Sequence, residues 1–198
     1  THSGGSGILI RDSADLWLTD VELSDNHHDH APLDADNSGL TLGQQGGIIN
    51  IDGLTIDTEQ IGAAVHPAVL INQAAANIHD LTMTGNHSGL QWDGQNHNNY
   101  PSQLSNSEFS GSGCIVLSNH HDLFGVGNTI APECTGTVQL VNSQVNWSGL
   151  TDASSSGTIL QLDSNSDLHL HQPANVDLNL SYPSMASGAT IDVAYDLI

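Results

Sequence analysis

One short stretch decides the fold: Gly113-Cys-Ile-Val-Leu-Ser-Asn119. A small residue opens it, apolar side chains follow at alternate positions, and a polar residue closes it. The same order returns as Gly136-Thr-Val-Gln-Leu-Val-Asn142 and as Gly157-Thr-Ile-Leu-Gln-Leu-Asp163. Because apolar residues at every second position in such short pieces are typical of β-strands, each stretch predicts a strand that ends at a polar corner.

This stretch recurs along nearly the whole chain. Its copies begin at Gly7, Gly39, Ala68, Gly89, Gly113, Gly136, Gly157 and Gly188. Neighbouring starts lie 21 to 32 residues apart, which leaves too little chain for crossover helices. Two all-β architectures remain, a parallel β-solenoid of about eight turns and an antiparallel β-sandwich. A sandwich needs hairpins, and hairpin signals are nearly absent, so we expect one solenoid domain over residues 1–198.

Corner residues complete the pattern at Asn72, Asn119, Asn142 and Asp163. With the repeated starts, they make the sequence resemble the right-handed parallel β-helix family, which is shared by pectate lyase-like enzymes, autotransporter passenger domains and large bacterial surface proteins. The resemblance implies apolar ladders inside the coil and polar ladders at its corners. It implies no particular activity, because this fold carries both enzymes and structural proteins.

The two ends of the chain indicate how it is used. The sequence closes on the alternating residues Ile191, Val193 and Tyr195, and no polar capping helix is predicted. Uncapped ends of a solenoid expose strand edges and apolar interior. We therefore expect either a segment of a larger protein or a filament protomer that associates with other copies through its ends.

The charge of the chain excludes several partners. It has 22 Asp and Glu residues against one Lys or Arg, and its formal net charge is -21. Nucleic acids and anionic membrane surfaces require Lys and Arg, so neither is expected as a partner. Without an apolar run of 18 residues, membrane insertion is not expected either. Lyases that act on polyuronates typically depend on Arg or Lys, which disfavours that activity because only Arg11 is present.

The function expected from these observations is a non-enzymatic, structural or adhesive role in a secreted or cell-surface protein. The alternative is a carbohydrate-active enzyme or glycan-binding domain that acts on a neutral polysaccharide. A glycoside hydrolase needs two carboxylates about 5 to 10 Å apart. Asp57, Asp93 and Asp122 are candidates, although a solvated surface aspartate is the favoured interpretation of each of them.

Two segments suggest metal ions. Asp34-Ala-Asp36-Asn-Ser38-Gly39 reproduces the first six positions of a calcium loop, but Gln45 stands where the bidentate Glu belongs. We expect calcium there, or else a turn-rich loop stabilised by its own side chains. His27, His28 and His30 surround Asp29 and form a candidate site for zinc, copper or nickel, against the alternative of a solvated loop.

The chain has two cysteines, Cys114 and Cys134. In an extracellular chain such a pair predicts one disulfide, and two buried thiols are the alternative. Their separation is close to one repeat, which would place them side by side.

Overall fold

The computed structural model describes residues 7–11, 15–24, 31–36, 47–59, 66–94, 102–153, 158–172 and 184–195. These residues form nineteen β-strands and no helix. Accordingly, the described part of the chain holds no helix that would cross a membrane. All strand pairs are parallel, and the strands fall into two sheets.

The first sheet takes one strand from each coil of the chain. With strands numbered in chain order, it consists of β1 (Ile8–Arg11), β3 (Leu33–Asp36), β5 (Val69–Asn72), β7 (Leu90–Asp93), β10 (Ile115–Ser118), β13 (Thr137–Val141), β16 (Ile159–Leu162) and β18 (Ser184–Met185), in that spatial order. Each strand pairs with the next one along the axis, because every coil returns the chain to the same side.

The second sheet has eleven strands. They are β2 (Leu16–Leu23), β4 (Ile48–Glu59), β6 (Ala75–Asn86), β8 (Ser102–Ser105), β9 (Glu108–Phe109), β11 (Leu123–Val126), β12 (Thr129–Ile130), β14 (Gln144–Ser148), β15 (Thr151–Asp152), β17 (Asp167–Gln172) and β19 (Thr190–Tyr195). The long strand β6 pairs with β8 near Asn77 and with β9 at Thr82. The sheet therefore bends into a first segment, which contains β8, β11, β14, β17 and β19, and a second segment, which contains β9, β12 and β15.

Residues with positive φ make this bend. Asp80 has a φ of 52° in the middle of β6, and Gly53 has a φ of 77° at the matching place in β4. Asp20 and Asn106 take the same conformation in the neighbouring coils. Asn, Asp and Gly tolerate this left-handed region best, so the residue types at the bend follow from the geometry of the backbone there.

The parallel β-solenoid expected from the sequence is confirmed. One predicted start, Gly39, lies outside the described residues, and another, Gly188, is wrong. The second strand of the first sheet is β3, whereas the stretch from Gly39 lies outside the described residues. The stretch from Gly188 leads into β19, which belongs to the second sheet. Alternation of apolar residues identifies a strand but not its sheet, because both sheets bury one face.

The core is a set of apolar ladders along the axis. Val69, Leu90, Ile115 and Val138 stack in register in the first sheet, and all four are buried. Trp92, which lies two residues after Leu90 on the same face of β7, is 1% exposed. Each of these side chains packs against an apolar side chain in the coil above and in the coil below. Burial of this apolar surface stabilises the stacking of neighbouring coils.

The predicted corner ladder is present. The Asn119 side-chain amide donates to Asp93 Oδ1 over 3.1 Å, and that of Asn142 donates to Asn119 Oδ1 over 2.9 Å. The backbone N–H of Asn142 donates to Asp163 Oδ1 over 3.0 Å. Burial works to raise the pKa of Asp163, but hydrogen bonds from Ser166 and from backbone amides stabilise its charged form more, and its pKa lies below the ordinary value.

Candidate functional site on the outer face of the second sheet

The outer face of the first segment carries two columns of side chains in register. One column runs Trp17, Asn50, Asn77, Gln103, Phe124, Asn146, His169 and Asp192. The other runs Thr19, Asp52, His79, Ser105, Val126, Ser148, His171 and Ala194. We call this surface the ladder face. Strands in a sheet lie about 4.8 Å apart, and each strand contributes one side chain to each column. A pair of side chains therefore recurs about every 4.8 Å along the axis of the solenoid.

Two aromatic rings stand out from the ladder face. Trp17 is 68% exposed and Phe124 is 40% exposed. They are four strands apart in the same column, which corresponds to about 19 Å along the axis. Open depressions of about 530 Å³ and 380 Å³ adjoin Trp17 and Phe124 respectively. The face therefore offers apolar rings and polar groups along a single line.

Hydrogen bonds between strands hold the polar groups of this face in place. The Asn77 amide donates to Asn50 Oδ1 over 3.0 Å. The Asn146 amide donates to Asp122 Oδ1 over 3.1 Å, and His169 Nδ1 lies 3.2 Å from Asp192 Oδ2. An amide oriented in this way keeps a free lone pair or N–H for an external partner.

A compact cluster of metal-ligating groups lies where the ladder face meets the bend. His79 Nδ1 is 3.0 Å from Asp52 Oδ1 and 3.2 Å from Asp80 Oδ2. Its other nitrogen, Nε2, is 3.0 Å from the side-chain amide nitrogen of Asn106. Ligand atoms of Asp52, His79 and Asp80 all lie within 4.8 Å of one another. No sequence motif indicates this cluster, because Asp52 and His79 lie 27 residues apart.

The metal sites predicted from the sequence have a different placement. Asp34 and Asp36 are residues of β3 and not the beginning of a loop, because Leu33 and Ala35 of the same strand fill the core. Both carboxylate oxygens of Asp34 accept hydrogen bonds from Arg11, at 3.0 and 3.1 Å. Calcium binding there stays a prediction. The remaining residues of the two predicted sites, Ser38, His27, His28 and His30, lie outside the described residues.

The three candidate catalytic carboxylates lie on separate elements. Asp57 belongs to β4, Asp93 ends β7, and Asp122 directly precedes β11. Each accepts a hydrogen bond from a neighbouring coil, donated by Thr84, Asn119 and Asn146 respectively. Each of these carboxylates therefore connects successive coils.

The two cysteines lie at a junction between coils. The sulfur atoms of Cys114 and Cys134 are bonded, with the Cα atoms 5.6 Å apart. Both residues are fully buried. The bond therefore closes one coil of the solenoid from the inside.

Comparison with known proteins adds no further assignment. No protein-family model, curated protein or solved structure matches the chain. The parallel β-solenoid is consistent with the β-helix fold that the sequence resembles, and the assignment to that fold rests on the strand topology.

Proposed function

We propose that this protein is a non-enzymatic, extracellular β-solenoid with a structural and adhesive role, and that it adheres by binding neutral polysaccharide along the ladder face. One observation carries the proposal: two columns of mainly polar side chains, one of which contains the exposed rings of Trp17 and Phe124, run in register along the axis. An extended polysaccharide presents its sugars at regular intervals, so a periodic surface meets several of them at once.

The chemistry of the ladder face suits uncharged sugars. Aromatic rings stack on the apolar face of a sugar ring, while amides such as those of Asn50 and Asn77 pair with hydroxyl groups. A net charge of -21 repels polyuronates and other polyanions over long range. Neutral glycans do not experience this electrostatic repulsion.

An adhesive role fits the carboxylates of this face better than hydrolysis does. The two aspartates of its columns, Asp52 and Asp192, are six strands apart, which is about 29 Å, while a glycosidase pair is about 5 to 10 Å apart. Asp80 is nearer to Asp52, but the oxygens of both are directed at one nitrogen of His79. They do not face each other across a space for a sugar.

Removal of an exposed ring should weaken polysaccharide binding. We expect Trp17→Ala and Phe124→Ala each to lower the affinity for a soluble neutral polysaccharide about tenfold, which corresponds to about 1.4 kcal/mol, because a stacking surface is lost. Affinity electrophoresis against a β-glucan, a mannan and a xyloglucan measures this effect. Leu9→Ala is the matched control, since Leu9 is 56% exposed on the first sheet instead.

Three results would contradict the proposal. One is wild-type mobility on all three polysaccharides, and another is equal weakening by Leu9→Ala. Release of sugar fragments would favour the enzyme alternative. Far-ultraviolet circular dichroism of each variant establishes that the solenoid is intact.

A secreted or cell-surface location is part of the proposal, and the Cys114–Cys134 bond supports it. Disulfides persist in oxidising compartments and are rare in the cytosol. End-to-end association stays a prediction, because the outermost strands of the described part adjoin residues that the structure does not describe.

The disulfide should contribute to stability. It links residues 20 apart, and closing a loop of that size is worth about 3 kcal/mol through the lost freedom of the unfolded chain. We expect dithiothreitol to lower the free energy of urea unfolding by about that amount. The double variant Cys114→Ala and Cys134→Ala should be insensitive to the reductant. Alkylation of both thiols in the native, unreduced protein would refute the bond and remove this support for secretion.

A further inference from the structure

The cluster at the bend contains more negative charge than its own residues neutralise. Asp52 Oδ1 and Asp80 Oδ2 both approach Nδ1 of His79, which carries at most one hydrogen. The whole chain has one Lys or Arg, Arg11, and its guanidinium is bound to Asp34. No lysine or arginine of this chain is therefore available to place a positive charge between the two carboxylates.

The spacing of the three donor atoms matches a small metal ion. Zinc is bound at about 2.0 to 2.1 Å by histidine nitrogen and carboxylate oxygen, so neighbouring ligand atoms of a tetrahedral site are roughly 3.3 Å apart. The two measured separations from His79 Nδ1 are 3.0 and 3.2 Å. Small side-chain rotations would suffice to open them around an ion, since all three side chains are 45% exposed or more.

Asn106 supplies the support that a ligating histidine requires. A histidine that binds metal through one nitrogen usually donates the N–H of the other to an oxygen. The Asn106 amide lies 3.0 Å from Nε2, and its oxygen and nitrogen exchange places by a rotation of the amide. With the oxygen towards Nε2, Nδ1 presents its lone pair to the carboxylates.

Gly53 stands between Asp20 and Asp80 in the stack of bend residues, and a Cβ at Gly53 would lie 2.9 Å from Asp20 Oδ1. The Asp20 carboxylate therefore occupies the space beside Gly53, which a larger residue would not leave to it. A water molecule would complete the fourth position of a tetrahedron around the ion.

From this geometry we propose that Asp52, His79 and Asp80 form a binding site for a divalent transition-metal ion, with zinc as the best match. A site with one imidazole and two carboxylates selects such ions over calcium, which prefers six to eight oxygen ligands. The ion connects β4 to β6, two adjacent strands of the second sheet. The proposal does not depend on polysaccharide binding.

The test is a zinc titration of the whole chain by calorimetry, with the imidazole signal of His79 followed by NMR. We expect the signal of His79 to shift at one equivalent or fewer, the melting temperature to rise with zinc, and His79→Asn to abolish one binding event. His169→Asn is the matched control, because His169 is also paired with an aspartate on the ladder face but lacks a second carboxylate. Its binding isotherm should equal that of the wild type.

A second variant separates a metal site from a simple ion pair. Asn106→Gly retains a residue suited to the φ of 48° but removes the amide, and it should weaken zinc binding about 10- to 100-fold. Because the segment with His27, His28 and His30 offers other ligands, the decisive readout is the His79 signal. An unshifted His79 signal at saturating zinc, or an isotherm unchanged by His79→Asn, would overturn the proposal.

Discussion

Acidification from pH 6.5 to pH 4 is expected to destabilise this protein strongly, because two histidines are buried in their neutral forms. Burial lowers the pKa of His87 and of His120 from 6.5 to about 4. For His120, a hydrogen bond to the Trp92 carbonyl and the charge of Asp93 act in the opposite direction but do not outweigh burial. Both rings would have to gain a positive charge inside the solenoid.

The surroundings of the two rings favour their neutral forms. His87 Nδ1 accepts the backbone N–H of Gly89 over 2.9 Å, so this nitrogen holds no proton, and protonation would break the contact. The His120 ring is buried and packs edge-on against the indole of Trp92, with the ring centroids 4.7 Å apart. Protonation of His120 would therefore place a positive charge away from water, and the single hydrogen bond to the Trp92 carbonyl does not compensate for this.

The sign of the effect follows from proton binding. Between pH 6.5 and pH 4 the unfolded chain binds protons at both histidines and the folded chain does not, so stability decreases as the pH falls. The full shift corresponds to about 3 kcal/mol for each histidine, and the loss is complete below pH 4. Above pH 6.5 these two groups have no further effect.

Urea unfolding at pH 7, 5.5 and 4 measures this dependence. His120→Gln should reduce the pH slope of the unfolding free energy by about half, even if it also changes the stability at pH 7. Gln103→Ala is the control, because that side chain is exposed on the ladder face and has no ionisable group, so the slope should not change. A slope that His120→Gln leaves intact would show that other groups cause the acid sensitivity.

Replacement of one internal asparagine, Asn128→Leu, should cost about 4 kcal/mol. Asn128 is fully buried, its amide donates to the Leu104 carbonyl over 2.8 Å, and its Oδ1 accepts the backbone N–H of Ser107 over 2.9 Å. Leucine has a similar size but satisfies neither group. Each buried backbone group left without a partner costs about 1 to 3 kcal/mol.

Asn77→Ala is the matched control for this experiment. Asn77 also donates to a neighbouring coil, at Asn50, but it is exposed to water, which replaces the lost partner. We expect a change of about 0.5 kcal/mol or less. The free energy of urea unfolding of the two variants gives the comparison. A loss below about 1 kcal/mol for Asn128→Leu would mean that Ser107 and Leu104 find other partners.

The sequence does not show whether an asparagine that follows a strand faces outward or inward. Asn119 and Asn142 were predicted at a corner because each directly follows an apolar alternation. Asn128 follows the similar piece Leu123–Val126, yet its side chain is directed inward, where it bonds to backbone groups. Asparagine therefore forms hydrogen bonds between coils both on the outside of the solenoid and in its interior. Only the backbone path distinguishes an outer asparagine from an inner one.

The ladder face and the cluster at the bend were missed for a related reason. Asp52 and His79 are 27 residues apart and belong to no recognisable motif. They meet because β4 and β6 pair in a register that aligns them. The intervals between repeated starts vary from 21 to 32 residues, so the sequence alone does not say which side chains become neighbours in successive coils.

The sequence by itself determined that the chain forms short strands, that these stack as a parallel solenoid, and that the chain has a formal net charge of -21. The physical reason is that apolar alternation, recurring small residues and net charge are local or summed properties of the chain. The tertiary structure alone decided the sheet to which each strand belongs and the side chains that share the ladder face. Those features depend on register between coils of unequal length, which is settled only when the whole core packs together.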